Sequence, residues 1–273
     1  MRTLVHLSDL HFGRVDVSLL DPLAEIVRSL APDLLAVSGD LTQRARTWQF
    51  KAARTFLDRL PLPQIIVPGN HDVPLYDVFR RFIRPLARYR RYITADLEPW
   101  FEDDEMAVLG INTARALTFK HGRISELQID RAQQRLCALP SSIAKVIVTH
   151  HPFDLPAGYD SRELVGRAAL ARQRLAACGC DLLLAGHLHL NAAAEGSLRR
   201  TAPANEPIIV QAGTATSTRG RGELNSFNVI VIEAQHIEIR RYSWLVAAGV
   251  FEPSGSKHFE RTESGWKQQT NVN

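Results

Sequence analysis

The chain has 273 residues, 45% of them apolar and 23% charged, with a formal net charge of +4. That length can bury a large core, as one α/β domain or a domain with a small appendage. No run approaches the roughly 18 uncharged apolar residues of a membrane span, and Asp9 follows Met1 and Arg2 too closely for a signal peptide, so a cytoplasmic protein is expected.

Residues 3–7 read as a first strand. Apolar positions at helical spacing follow over 20–30, with Asp21 as N-cap and Pro22 at the first helical position. Pro32 and Asp33 end that helix. A second strand is expected over 34–37, a second helix over 48–60 before Pro61 and Pro63, and a third strand over 64–67. This β-α-β-α-β order argues for a largely parallel sheet with crossover helices.

From 74 to 105 the chain is irregular and rich in arginine, with helical stretches. Arg80, Arg81, Arg84, Arg88, Arg90 and Arg91 have two readings. They form either a rim that attracts an anionic substrate, phospholipid headgroups or nucleic acid, or the solvated face of a helix whose Phe79, Phe82, Ile83, Leu86 and Ala87 point inward. Residues 106–111 look like a strand, and 125–139 like a helix stopped by Pro140. Residues 145–148 and 181–185 read as buried strands, with a helix around 163–177 between them.

Cys137, Cys178 and Cys180 are odd in number and show no disulfide framework. Cys178 and Cys180 resemble a ligand pair, but Cys180 opens an apolar run, and small buried residues at a strand start are the simpler account. Beyond Asn191, β-rich runs at 208–211, 227–232 and 236–242 follow without long helices, so an antiparallel set is expected. Residues 251–273 read as a polar, loosely held tail.

Five short clusters punctuate this pattern: Asp9-Leu10-His11, Gly39-Asp40, Gly69-Asn70-His71-Asp72, Thr149-His150-His151 and Gly186-His187-Leu188-His189. Each alone has an ordinary structural explanation as a turn, a cap or packing. All five sit behind apolar runs read as strands, and in open α/β sheets ligands collect outside the carboxyl ends of the strands. Strand periodicity puts Asp9 with His11, and His187 with His189, on one side if the extended conformation persists. The donors are carboxylates, imidazoles and one amide, with no thiolate, which suits divalent ions of intermediate hardness. Seven candidate ligands are too many for one ion and suit two that share a carboxylate. Such a pair can clamp the attacking and leaving oxygens of a displacement at phosphorus. His6, out of phase within the first strand, reads as a core or supporting histidine. His121 reads as a loop residue, with substrate contact as the alternative.

In this order the motifs resemble those of the calcineurin-like metallophosphoesterases, and more narrowly the bacterial branch that includes class III cyclic-nucleotide phosphodiesterases. The resemblance runs from Leu4 to about Trp244 and takes in Gly213-Thr214-Ala215-Thr216-Ser217, Arg219, Arg221 and Asn225. It implies a four-layer α/β/β/α sandwich of two stacked mixed sheets with flanking helices, as a catalytic domain over 1–250. It implies that Asp9, His11, Asp40 and His189 hold a first metal, that Asp40 bridges, and that Asn70, His150 and His187 complete a second site. His71 matches the family's non-ligand histidine, a proton donor to the leaving oxygen or a stabiliser of transition-state charge. Asp72 is expected to orient its loop. His151 is the alternative to His150 as a ligand and otherwise a support, while Arg219 and Arg221 either touch phosphate or close their loop.

The expected cofactors are two divalent ions, Mn or Fe first, with Zn, Ni or Co also compatible. The expected reaction is phosphodiester hydrolysis by a metal-bridging hydroxide, on a small phosphate ester such as a cyclic nucleotide. Other phosphoesters are the alternative: a glycerophosphodiester, a nucleotide-lipid pyrophosphate or a nucleic-acid end. The lipid pyrophosphatases of the family carry arginine in place of His71, and its nucleases carry extra capping domains. A non-catalytic scaffold is the reading from a different class. A homodimer through the middle segment or the tail is left open.

Overall fold

The computed structural model describes residues 1–155, 159–189, 206–219 and 222–269. The strands are β1 (Arg2–Leu7), β2 (Leu34–Val37), β3 (Gln64–Ile66), β4 (Trp100–Glu102), β5 (Met106–Gly110), β6 (Ala144–Val148), β7 (Leu182–Ala185), β8 (Ile208–Gln211), β9 (Ser226–Ile232), β10 (His236–Leu245), β11 (Val250–Thr262) and β12 (Gly265–Gln268). The α-helices are α1 (Leu20–Ser29), α2 (Thr47–Leu57), α3 (Val78–Ile83), α4 (Ala87–Tyr92), α5 (Glu126–Cys137) and α6 (Ala168–Ala177). One sheet has the order β12-β11-β10-β9-β1-β2-β3 and the other β4-β5-β6-β7-β8. Both are mixed. β1, β2 and β3 run parallel while β9 to β12 are antiparallel, and β5 to β8 run parallel beside an antiparallel β4.

The period-two alternation of each strand builds the layers. Leu4, Leu34, Ala36 and Ile65 of the first sheet meet Val108, Val146, Leu182 and Ile208 of the second. Val5, Leu7, Leu35 and Val37 face the other way, onto Leu23 and Val27 of α1 and Phe50 and Ala53 of α2. Leu109, Ile147 and Leu183 pack outward on Ile129 and Leu136 of α5 and Leu175 of α6. This is the four-layer α/β/β/α sandwich that the resemblance implies. Each fully buried leucine in it contributes about 1.5–3 kcal/mol over an exposed one.

Several local expectations change. α1 starts at Leu20 after a 3-10 turn (Val17–Leu19) capped by Asp16, so Asp21 is not its N-cap and instead pairs with Arg59 at 2.5 Å. The helix expected from 163 begins at Ala168, behind a separate 3-10 turn over Ser161–Glu163. β8 continues the parallel run beside β7 rather than joining the antiparallel set, its buried IIVQ segment forming the fourth parallel strand of that sheet. The segment expected as a loose tail forms β11, paired with β10, and β12, paired with β11. Its polar look comes from a sheet face open to solvent, with Phe251 and Phe259 buried below and Trp266 packed against the core between the sheets. Cys137 and Cys178, expected as unpaired, form a disulfide, because the last residue of α5 and the cap of α6 lie side by side at a Cα separation of 4.6 Å. Cys180 is free and buried at the entry to β7.

In the arginine-rich segment, which forms α3 and α4, most of the apolar face expected to point inward is exposed. Leu86 is buried, but Phe79, Phe82, Ile83 and Ala87 are exposed and Arg81 is buried. Arg81 points inward because it staples two loops: Nε donates to Ala116 O at 2.8 Å and Nη1 to Pro74 O at 2.9 Å, with the guanidinium 3.9 Å above the Phe119 ring. Once that side chain is inside, the 3.6-residue period turns 79, 82 and 83 outward.

Candidate metal centre

The loops that leave β1, β2, β3, β6 and β7 meet at one edge of the sandwich. Asp9 N donates to Gly39 O at 3.1 Å and His11 N to Asp40 O at 2.9 Å, which locks the first two loops together. Gly69 and Gly186 allow the remaining close approaches. A Cβ on Gly69 would stand 2.1 Å from Asp40 Oδ1, and one on Gly186 would stand 1.8 Å from Ser8 Oγ.

Asp9 and His11 come together, but not by strand alternation. Asp9, His11, Asp40, His187 and His189 all have left-handed backbones, with φ between 49° and 76°. They are five of the nine non-glycine residues with positive φ among those described. L-residues avoid this region, although Asp and His tolerate it better than most. Extended geometry therefore stops at the strand ends, and Leu10 between the pair is buried in the core.

Two donor sets converge here. Ligand atoms of Asp9, His11, Asp40 and His189 lie within 4.8 Å of one another, as do those of His150, His151 and His187. In the first set His11 Nε2 is 3.1 Å from His189 Nε2 and 3.4 Å from Asp9 Oδ1. Near the second, His150 Nε2 lies 3.1 Å from Asn70 Oδ1, 3.3 Å from His187 Nδ1 and 3.4 Å from Asp40 Oδ2. Asp40 Oδ2 is also 3.7 Å from His11 Nε2, so one carboxylate faces both sets. Asp9 Oδ1 is buried with no hydrogen-bond donor. Converging donors of this kind, at separations typical of bonds of about 2.1 Å to one ion, fit divalent metal.

His151 belongs to the second group by distance alone. Its Nδ1 bonds Thr113 Oγ1 at 2.8 Å and its Nε2 bonds Lys120 O at 3.1 Å, so both ring nitrogens are committed to protein. It lies against Gly122, where a Cβ would stand 2.2 Å from the ring. Asp72 accepts from Gly69 N, Leu41 N, Thr42 N and Thr42 Oγ1, all within 3.1 Å, and so ties the third loop to the second. Thr214 Oγ1 donates to Asp9 O at 2.7 Å and Thr216 Oγ1 to Leu10 O at 2.9 Å, which fastens the left-handed turn from behind. His6 is buried within β1, with Nε2 at 2.9 Å from Ser38 Oγ, and burial pushes its imidazole down to about 3.

Glu163 carries no motif, and sequence reading passes over it. Its Oε2 lies 3.0 Å from His187 Nε2, leaving Nδ1 turned toward His150, and its other oxygen pairs with Lys120. A carboxylate behind a metal-facing imidazole fixes both its orientation and its tautomer. The bond to His187, against the cost of burial, holds Glu163 down at about 2. Glu163→Gln is expected to weaken metal binding about 10–100-fold, as read by calorimetric titration. An unchanged affinity would mean that packing alone aims the ring.

The charges are tightly linked. Burial raises Asp9 and Asp40, yet the surrounding imidazoles overcome it and hold both far below the usual carboxylate range. Burial disfavours the charged form of His150, but Asp40 outweighs it and pushes the imidazole up to about 9. A ligand histidine must be neutral. Without metal, His150 therefore keeps its proton below about 9, and metal must displace it. Metal affinity is accordingly expected to fall by about tenfold per pH unit lowered below that value, with about one proton released per metal bound. Titrations in buffers of different ionisation enthalpy measure that proton, and a pH-independent affinity would contradict the linkage.

His71 stands at the side of the two sets, with Nε2 4.0 Å from Asp40 Oδ2. Its Nδ1 donates to Gln43 O at 2.9 Å, so Nε2 is the acceptor that meets Arg219 Nη1 at 3.1 Å. Burial and the cations around it lower the imidazole against the pull of Asp40. Arg44 Nη1 also reaches within 3.2 Å of Nδ1, a contact with no sequence signal. Arg221 lies outside the described residues, and His121 is half-buried at the loop that carries Lys120.

A family model described as calcineurin-like phosphoesterase matches residues 2–191. Among curated proteins, the chain is 34% identical over 96 residues to a glycerophosphodiester phosphodiesterase of Enterobacter lignolyticus, covering 30% of this chain and 33% of that protein. It is 25% identical over 163 residues to a 3',5'-cyclic adenosine monophosphate phosphodiesterase of Escherichia coli, covering 58% of this chain and 54% of that one. The chain thus spans about a third of the first relative and about half of the second. Among solved structures, a purple acid phosphatase from yellow lupin (Lupinus luteus) superposes with a TM-score of 0.71 at 11% identity, covering 94% of this chain and 53% of that one. A dimetal phosphatase from Danio rerio superposes at 0.66 and 12% identity, covering 92% and 98%. At such identities these two structures speak for the fold.

Proposed function

Because this chain belongs to the calcineurin-like phosphoesterase family, we propose that it is a binuclear metal-dependent phosphodiesterase acting on a small phosphate diester. The observation that carries this reading is Asp40, whose Oδ2 stands 3.4 Å from His150 of one donor set and 3.7 Å from His11 of the other. Asp9, His11, Asp40 and His189 would hold one ion, and Asp40, Asn70, His150 and His187 the second. Such ions supply Lewis acidity toward the phosphoryl oxygens and lower the pKa of water.

The protein groups do the rest. Arg219 now donates to His71 Nε2, and an incoming phosphate oxygen is the stronger acceptor for that guanidinium. That exchange frees the unprotonated His71 Nε2, which must take up a proton from solvent before it can give one to the leaving oxygen. Gln43 O keeps the ring oriented through Nδ1, and Asp40 Oδ1 fixes its backbone by accepting from His71 N at 2.8 Å. Asp72, Thr214 and Thr216 support the ligands from behind, and Glu163 aims His187.

The names of the two curated relatives point to diesters, one a glycerophosphodiester and the other a cyclic nucleotide. A cyclic nucleotide is the first substrate to test, and Mn or Fe the first metal. Protein loaded with Mn is to be offered phosphomonoesters, linear diesters and 3',5'-cyclic nucleotides. Turnover of bis(p-nitrophenyl) phosphate above p-nitrophenyl phosphate supports diester specificity, and the reverse order sinks it. No helix among the described residues is long and apolar enough to cross a membrane.

A further inference from the structure

We propose that the surface formed by α3 and the 116–119 loop docks this protein onto an anionic phospholipid bilayer. Among the described residues α1, α2, α5 and α6 pack an apolar face onto the sheets, yet here Tyr76, Phe79, Phe82, Ile83, Leu117 and Phe119 face water, with Phe79 73% and Leu117 79% exposed. They form one surface, because Arg81 on α3 holds Pro74 O and Ala116 O while its guanidinium lies under Phe119. Concentrated exposure of this kind marks a contact surface rather than chance.

The charge around the patch says what it meets. Residues 77–92 carry six arginines and one aspartate, a greater excess than the net +4 of the whole chain. That aspartate, Asp77, is already engaged by Arg80 and Arg88. Arg80 and Arg84 are exposed on and directly after α3, and Arg90 and Arg91 are exposed on α4. Aromatic and aliphatic groups for the acyl boundary, flanked by arginines for the headgroups, are the composition of a surface that lies on an anionic membrane. A twofold contact with a second copy would set these arginines against their own equivalents, with no acid in the segment left to offset them.

The patch also adjoins the metal centre. Arg44 reaches from Tyr76, 5.8 Å from its ring centroid, to His71, and Lys120 next to Phe119 holds His151 and Glu163. A bilayer bound there would lie beside the mouth of the site. The docking rests on the patch and its charges, independently of which diester is hydrolysed.

The test is flotation with vesicles of phosphatidylcholine alone and with about one quarter phosphatidylglycerol. The wild-type protein is expected to partition at least about tenfold more strongly onto the anionic vesicles, less so at high salt. Two variants, Phe79→Ser with Phe82→Ser and Arg80→Glu with Arg84→Glu, are expected to lose that partitioning. Their melting temperatures and turnover of soluble bis(p-nitrophenyl) phosphate should stay unchanged. Absence of partitioning, equal partitioning onto both vesicles, or partitioning that survives both variants would overturn the proposal. So would a wild-type dimer in sedimentation analysis that both variants convert to monomer, which would assign the patch to a second copy.

Discussion

Asp40→Ala is expected to empty both metal sites and to lower diester turnover by at least about 10³-fold, a barrier increase of about 4 kcal/mol. Its Oδ2 faces His150 and His11, one from each donor set, and its Oδ1 accepts from His71 N at 2.8 Å. Removing it leaves clustered imidazoles with no shared anion, and His150 loses the charge that pushes it up to about 9. Metal content by atomic emission, measured alongside turnover, gives the readout. Asp40 has φ +52°, so alanine there also carries backbone strain. Asp40→Asn separates the two effects, since it keeps the shape and the acceptor for His71 N but removes the negative charge. If Asp40→Asn kept both metals and full turnover, the bridging role would be wrong.

His71→Ala is expected to do the opposite: both metals retained, with turnover falling by about 10²–10⁴-fold. The ring is held by Gln43 O and meets Arg219 rather than converging with the two donor sets. A proton donor matters most when the leaving oxygen is basic. The loss should therefore be greater for an alkyl diester than for bis(p-nitrophenyl) phosphate, whose leaving group departs readily as an anion. Equal losses on both substrates would assign His71 to charge stabilisation instead of proton donation. Loss of metal would make it a structural residue.

The residues that converge in the two donor sets were legible because their motifs are short and sit directly behind strands. The buried strands β1, β2, β6 and β7 were equally plain, as short, largely apolar runs bounded by turn residues. What escaped depends on contacts distant in sequence. Glu163 reaches His187 across 24 residues, and nothing local distinguishes it from a surface acid. The exposure of Phe79, Phe82 and Ile83 was not legible because periodicity identifies two faces but does not say which is covered, and one stapling arginine, Arg81, decides it. β11 was taken for tail because a strand with solvent on one face, carrying Ser254, Gly255, Ser256 and Lys257, resembles a linker unless its partner strand is known.

The left-handed residues bear on whether this chain is a catalyst or only a shape. Positive φ falls on glycine at 13, 39, 179, 222, 249 and 265 and, away from the donor sets, on Ala31, Ala45, Phe119 and Arg167. At 9, 11, 40, 187 and 189 the chain keeps aspartate or histidine in the same backbone region, where glycine would fold with less strain. A protein that served only as a platform for partners would gain stability from glycine at all five positions. Side chains retained where the backbone least accommodates them weigh against a purely architectural role.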